Sequence, residues 1–185
     1  KQEPATEETE AAAPQEEEGA VVVDEWEIPF LNVLTGPIAS IGQYLNWGAQ
    51  RAASEINSNG GITGKPVRVV AIDTGMSPEK GTVEMARVTE EGSLTALGPV
   101  PESVIMAAMP IAVEAEMISF TATTSYEYAV QFFPWSISWF APTDEKLPPI
   151  VTAWAEMNPE METVVQFVEN YGPWPGMADA HDIGL

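Results

Sequence analysis

The stretch that decides the fold lies at residues 56–67 and reads Ile56-Asn57-Ser58-Asn59-Gly60-Gly61-Ile62-Thr63-Gly64-Lys65-Pro66-Val67. Its Asn-Gly-Gly end predicts the close of a helix, because glycine tolerates the left-handed conformation that a helix C-terminus prefers. Apolar or small residues recur at spacings of three and four through residues 38–57, at Ile41, Leu45, Gly48, Ala49, Ala52, Ala53 and Ile56. They predict an amphipathic helix whose small-residue face approaches a sheet closely. The apolar residues 65–73 predict the strand that follows.

The same alternation of strand and helix extends to both sides of this stretch. Short apolar runs predict further strands at 28–34, 93–97 and 117–120. Ser77 and Pro78 predict a helix start, as cap and first helical residue, with Val83, Ala86 and Val88 facing the core. A third helix is predicted at 103–115. Strands that alternate with helices predict an α/β fold, a parallel sheet with helices on both faces.

The sequence changes character after residue 131. Aromatic residues are dense at 132–140, and the cluster Trp135, Trp139 and Phe140 fits packing at a hinge better than a wall of a cleft. A helix at 150–157 and a strand at 163–168 predict the start of a second α/β lobe. We therefore predict a disordered acidic tether at 1–23, a first lobe at 24–139, and a hinge crossing with a truncated second lobe at 140–185.

The charge of the chain excludes two classes of partner. Its 185 residues contain 28 acidic and 7 basic side chains, a formal charge of −21, and no Cys. Nucleic acids and anionic membrane surfaces require clustered Lys and Arg, so neither is an expected partner. The absence of Cys excludes disulfides, thiol nucleophiles and thiolate metal sites.

Four predicted loops follow the strands at the edge where parallel sheets bind ligands, namely residues 35–42, 73–77, 98–103 and 121–125. They are rich in Gly, Pro, Ser and Thr, whose hydroxyl and backbone N–H groups favour binding over catalysis. Asp73 could imitate the ribose-binding acid of a dinucleotide fold, but the first turn lacks the G-x-G-x-x-G pattern. His181 has no further ligands at metal-binding spacing and no nucleophile elbow near it. We therefore predict no metal, no cofactor and no enzyme activity.

Three stretches together resemble a known family, namely Thr35-Gly36-Pro37-Ile38-Ala39, Gly48-Ala49 and the run 56–67 quoted above. The order Asn-x-Gly-Gly-Ile-x-Gly-x-Pro-Val is the most specific of these. From residue 27 to residue 178 the chain resembles the N-terminal part of extracytoplasmic solute-binding proteins of ABC transporters. The nearest group is the branched-chain amino acid (Leu/Ile/Val-binding) type, with a type I periplasmic-binding fold. Such relatives are about twice as long, so we expect a fragment or a truncated gene product.

The resemblance implies a two-lobed clamshell that captures a small organic solute, such as an amino acid, amide or aromatic acid. The solute is then delivered to the membrane permease of an ABC importer. It also implies an extracytoplasmic location, in the periplasm or on the outer face of the cell membrane. A lipid-modified Cys ahead of the acidic tether would anchor the protein there. The alternative is a ligand-sensing domain of the same fold in a signalling receptor, which the sequence beyond Leu185 would distinguish.

The resemblance further implies a set of ligand-binding residues. Relatives hold the ligand's carboxylate and ammonium through a Ser after the third strand and through backbone and Thr groups after the fourth. The matching residues here are Pro101, Glu102 and Ser103, then Thr121, Ala122 and Thr123. The expected set also includes Ile41 in the first loop, Tyr126, and Tyr171 and Trp174 in the second lobe. Glu102 stands where the family has a hydroxyl facing a carboxylate. Either it points outward and Ser103 substitutes, or the ligand is not a simple amino acid.

Overall fold

A five-stranded parallel sheet forms the centre of the computed structural model, which describes residues 24–160, 162–163 and 165. The strands are β1 (Trp26–Asn32), β2 (Val67–Asp73), β3 (Thr95–Leu97), β4 (Ile118–Thr121) and β5 (Ser136–Ser138). The helices are α1 (Ala39–Ser58), α2 (Pro78–Glu90), α3 (Glu102–Glu114), α4 (Tyr126–Gln131) and α5 (Thr143–Met157). The strand order is β2-β1-β3-β4-β5 with every neighbouring pair parallel, which confirms the predicted α/β class. None of the described helices combines the length and the apolar character that a membrane crossing requires.

Two apolar clusters cover the opposite faces of this sheet. Phe30 of β1 packs on one face with Ala53 of α1, and Leu31 packs on the other with Met85 of α2 and Ile105 of α3. Consecutive strand residues point to opposite faces, so one strand serves both clusters. Burial of this apolar surface is the main favourable term in the stability of the fold.

The face of α1 that packs on the sheet differs from the predicted one. Gly42 and Ala53 are buried, and Leu45 and Ala49 pack against the core. The predicted residues Ile41, Gly48, Ala52 and Ile56 are exposed. They lie on a neighbouring stripe of the helix, and the stripe that faces a core is only about 100° wide.

Helix α2 starts as predicted, and of its predicted core residues Val88 is buried in the core whereas Val83 is not. The Lys80 N–H donates to Ser77 Oγ at 3.1 Å, and the helix begins with proline. Val83 is 65% exposed, so its predicted core position is wrong, and Met85 is fully buried instead. Gly81 determines which side of α2 packs against α3. A Cβ at this position would lie 2.1 Å from Cγ1 of Val104, so glycine allows the two helices to approach closely here.

The part of the chain after β4 contains two elements that the sequence did not indicate. Strand β5 pairs with β4, and the short helix α4 precedes it. Helix α5 begins at Thr143, earlier than the predicted residue 150, and contains Pro148 and Pro149. Trp139 packs edge-on against Phe30 with ring centroids 6.3 Å apart, in agreement with a packing role. The tether 1–23 and most of the predicted strand 163–168 lie outside the described residues. The lobe boundary at 139/140 stays a prediction.

Candidate functional site

The carboxyl ends of β1 to β4 lie along one edge of the sheet, because all four strands are parallel. The loops that follow them are residues 33–38, 74–77, 98–101 and 122–125. These are the loops that the sequence placed at the ligand-binding edge. Side chains from the strand ends and from neighbouring loops form hydrogen bonds with the backbone of these loops.

Asn32 holds the first loop against the sheet, and its side chain is fully buried. Asn32 Nδ2 donates to the Gly42 carbonyl oxygen at 2.8 Å, and its Oδ1 accepts from the Val33 N–H at 2.8 Å. A Cβ at Gly42 would lie 1.8 Å from the Val33 carbonyl oxygen, so only glycine permits this approach of α1 to β1. Strand β1 ends at Asn32, before the predicted Leu34, because the next backbone N–H groups bind side chains.

The Asp73 carboxylate joins the first loop to the second. Its Oδ1 accepts from the N–H groups of Leu34, Thr35 and Gly75 at 2.7, 3.2 and 3.1 Å. Its Oδ2 accepts from the Thr35 hydroxyl at 2.6 Å. Burial alone would raise the pKa of Asp73, but the Thr35 hydroxyl and the backbone N–H groups outweigh burial and hold that pKa below its ordinary value. These contacts favour a structural role for Asp73 over the ribose-binding role.

The third loop is held at its first residue, Gly98. Its N–H donates to the Phe120 carbonyl oxygen at 2.7 Å, and its own carbonyl oxygen accepts from the Ser119 hydroxyl at 2.6 Å. Gly98 has φ +84°, and a Cβ there would lie 2.1 Å from the Leu31 carbonyl oxygen. Glycine is therefore required for both the conformation and the close approach.

Glu102 begins α3, and only 6% of the residue is exposed. Its Oε1 accepts from the Thr123 hydroxyl at 2.6 Å and from the Thr124 N–H at 2.9 Å. Its Oε2 is buried and has no hydrogen-bond partner among the described residues. The alternative in which Glu102 points outward is therefore wrong. The carboxylate points inward and joins two of the predicted binding loops.

Residues 138–143 bind the loop after β4 from the other side. The Ser138 hydroxyl donates to the Thr123 carbonyl oxygen at 2.7 Å, and the Thr143 N–H donates to the Thr124 carbonyl oxygen at 2.8 Å. Thr123 Oγ1 also accepts from the Ser125 N–H at 3.2 Å. These hydrogen bonds fix the shape of the loop.

The predicted site residues differ in their surroundings. Three of them are half-buried beside Glu102 and Thr123, namely Pro101 of the third loop, Ser103 of α3 and Ala122 of the fourth loop. Exposed on their helices are Ile41 and Tyr126. Thr121 is fully buried, and its hydroxyl lies 3.0 Å from Ser136 Oγ. Tyr171 and Trp174 lie outside the described residues. The role of each residue in ligand binding stays a prediction.

Sequence reasoning missed Asn32, Ser119 and Ser138 as residues that shape this edge. Asn32 was detectable, because a polar residue inside an apolar run requires a hydrogen-bond partner when the run is buried. Ser138 had no such signal, since the strand that carries it was not recognised. In the described part of the chain, no three His, Cys, Asp or Glu side chains come close enough to share a metal ion. His181 lies outside that part.

The fold and this edge define a class of protein, an α/β lobe that binds ligands with the loops at the carboxyl ends of its strands. The periplasmic binding protein family matches residues 25–176, and the chain belongs to this family. This match confirms the resemblance drawn from the sequence.

Curated relatives are similar to part of the chain. It is 33% identical to the Leu/Ile/Val-binding protein BraC3 of Rhizobium johnstonii over 92 residues. This matched segment covers 50% of this chain and 25% of the relative. It is 25% identical over 77 residues to the Leu/Ile/Val-binding protein of Escherichia coli K12, covering 42% of this chain and 21% of the relative. The matched segments are therefore a quarter or less of the relatives' length.

Solved structures show the same fold. One is the substrate-binding protein LivJ of a Streptococcus pneumoniae branched-chain amino acid transporter, in complex with isoleucine, with a TM-score of 0.76 and 22% identity. Another is a solute-binding protein of an ABC transporter from R. palustris in complex with 4-hydroxybenzoate, with a TM-score of 0.73 and 19% identity. This chain covers 45% and 43% of these proteins, and 85% and 87% of this chain is matched.

Proposed function

We propose that this protein is the substrate-binding component of an ABC importer. It captures a small organic solute, in the class of amino acids, amides and aromatic acids, between two lobes and delivers it to a membrane permease. We assign residues 24–139 to the first of these lobes, and the remaining contacts to the solute come from the second.

The observation that carries this proposal is the braced carboxyl edge of the sheet. Asp73 fixes the first two loops, Glu102 joins the third loop to the fourth, and Ser138 holds the fourth from behind. Loops held in this way before the ligand arrives bind it with a smaller loss of conformational entropy. Family membership of the chain supports the same reading.

Within this edge we assign ligand contacts to the residues predicted from the resemblance. Glu102 and Ser103 begin α3, and their neighbours Pro101, Ala122 and Thr123 lie on the third and fourth loops. Thr121 contributes to the shape of the fourth loop through its bond to Ser136. Ile41 lies in the first turn of α1, after the first loop, and Tyr126 begins α4, after the fourth loop.

The proposal includes three further expectations that follow from the family. The protein lacks enzyme activity, its partner is the permease of the importer, and it works outside the cytoplasm. An N-terminal lipid anchor is part of the same hypothesis, and the seven Glu residues within 1–20 are consistent with a solvated spacer behind such an anchor.

A thermal-shift screen of the full-length protein tests the proposal. Amino acids, amides and aromatic acids are added singly, and we expect at least one to raise the melting temperature, because a ligand that binds only the folded state stabilises it. The absence of any shift across all three classes, at millimolar concentration, would contradict the proposed function.

A further inference from the structure

The Glu102 carboxylate occupies a place where the protein would otherwise bind an anion. Two donors, the Thr123 hydroxyl and the Thr124 N–H, converge on it at the first turn of α3. Helix N-termini favour negative charge, and donors of this kind bind carboxylates well. In this protein the bound carboxylate is supplied by the chain itself.

A second carboxylate next to Glu102 would be repelled. Two charges of the same sign a few ångströms apart repel each other at the effective dielectric constant of a protein surface. Glu102 forms no ion pair with a Lys or Arg among the described residues, so no cation there offsets its charge. A ligand that points a carboxylate at the start of α3 is therefore disfavoured.

The Oε2 atom of Glu102 favours a ligand group that donates a hydrogen bond. It is buried, and it has no donor among the described residues, although its partner oxygen Oε1 has two. Buried polar atoms are normally paired, because one left without a partner loses its hydrogen bond to water and gains none in return. A ligand N–H group would supply the missing donor.

We infer, on the basis of the proposed function, that the solute presents a hydrogen-bond donor to Glu102 Oε2. The donor is an ammonium, guanidinium or amide N–H group, and no carboxylate of the solute lies at this position. Glu102 thereby selects amine or amide solutes against carboxylates of the same shape.

Isothermal titration calorimetry of the full-length protein with two matched series tests this inference. The first series is leucine, leucinamide and 4-methylpentanoate, and the second is 4-hydroxybenzamide and 4-hydroxybenzoate. We expect leucinamide or 4-hydroxybenzamide to bind at least tenfold more tightly than the carboxylate of its series that lacks nitrogen. Equal or tighter binding of that carboxylate would overturn the inference.

Two variants identify the residue responsible. Glu102→Gln keeps the side-chain size, removes the charge, and should weaken binding of the preferred compound at least tenfold. Glu114→Gln, at the exposed end of the same helix, should leave affinity within twofold. An affinity within twofold for Glu102→Gln would overturn the inference. If that variant does not fold, which circular dichroism would reveal, the ratio measured with the unmodified protein decides alone.

The outcomes also separate the two proposals. If a carboxylate binds and its affinity is the same in Glu102→Gln, only the role of Glu102 is contradicted. Failure of every compound in both series to bind, together with a negative thermal-shift screen, contradicts the proposed function and this inference with it.

Discussion

Two carboxylates at the same edge of the sheet differ in the number of hydrogen bonds that they accept. Asp73 receives four hydrogen bonds, spread over both of its oxygens, from Thr35 and from backbone N–H groups of its own and the neighbouring loop. Glu102 receives two, both on Oε1, and its Oε2 is buried without a partner among the described residues. The first is satisfied by the fold alone, whereas the second has capacity left for another molecule.

The contrast separates an acid whose oxygens the fold satisfies from an acid that we propose binds the solute. Asp73 ends a strand and Glu102 begins a helix at the same edge of the sheet, and each of them joins two loops. Their positions in the chain therefore do not distinguish their roles. The number of donors that reach each oxygen distinguishes their roles. A buried carboxylate oxygen without a hydrogen-bond donor lowers the stability of the fold unless another molecule supplies one.

The largest expected effect is on stability when Asp73 is removed. Asp73→Ala should lower the free energy of unfolding by about 2 to 3 kcal/mol, because several N–H groups lose a charged acceptor. Chemical denaturation monitored by circular dichroism would measure it. Asp73→Asn should lower the free energy of unfolding by about half as much, since the amide oxygen still accepts hydrogen bonds.

The matching change at the second carboxylate provides the control. Glu102→Gln should alter the free energy of unfolding by less than about 1 kcal/mol, because its amide oxygen can replace Oε1. A loss for Glu102→Gln as large as that for Asp73→Ala would reverse the comparison between the two acids.

A smaller effect is expected on ligand affinity at Thr123. Thr123→Val should weaken binding by about 1 to 2 kcal/mol, because Glu102 loses the hydroxyl that holds its Oε1. The measurement is a calorimetric titration with whichever solute the screen identifies. Thr95→Val is the matched control, because Thr95 starts β3 at the opposite end of the strands. Unchanged affinity in Thr123→Val would remove Thr123 from the site.

The smallest effect is a pH dependence of stability. The hydrogen bonds at Asp73 lower its pKa in the folded state, so they stabilise the protein above the pKa of the unfolded chain. This contribution is lost as the pH falls through the folded pKa, below about pH 4. The stability difference between the unmodified protein and Asp73→Asn should therefore shrink at acid pH. A constant difference from pH 7 to pH 3 would show that Asp73 does not titrate as the hydrogen bonds require.

The central fold could be predicted from the sequence because its signals are local. The helix ending at Asn59-Gly60-Gly61 and the apolar strands on either side lie within a few residues of their own turn signals. Strand β5 could not be predicted, since three residues are too few to show a periodicity. The side of α2 was misjudged at Val83 because Gly81 packs against Val104, a contact between distant parts of the chain.

The site shows the same division between local and distant information. The order of the residues placed Glu102 and Thr123 on loops of one edge. Their hydrogen bond depends on the register of β3 and β4, where Leu97 lies opposite Phe120. No pattern near either residue carries that register. The charge of Glu102 was visible in the sequence, but its inward direction was not.

The hydrogen bonds between residues 138–143 and the fourth loop have a mechanical consequence. The same segment that leads the chain out of the sheet also donates to the carbonyl oxygens of Thr121, Thr123 and Thr124. A rotation of the chain from Thr143 onward must either break the hydrogen bond between Thr143 and Thr124 or move the loop with it. The point at which the chain leaves the sheet is thereby coupled mechanically to the loop after β4.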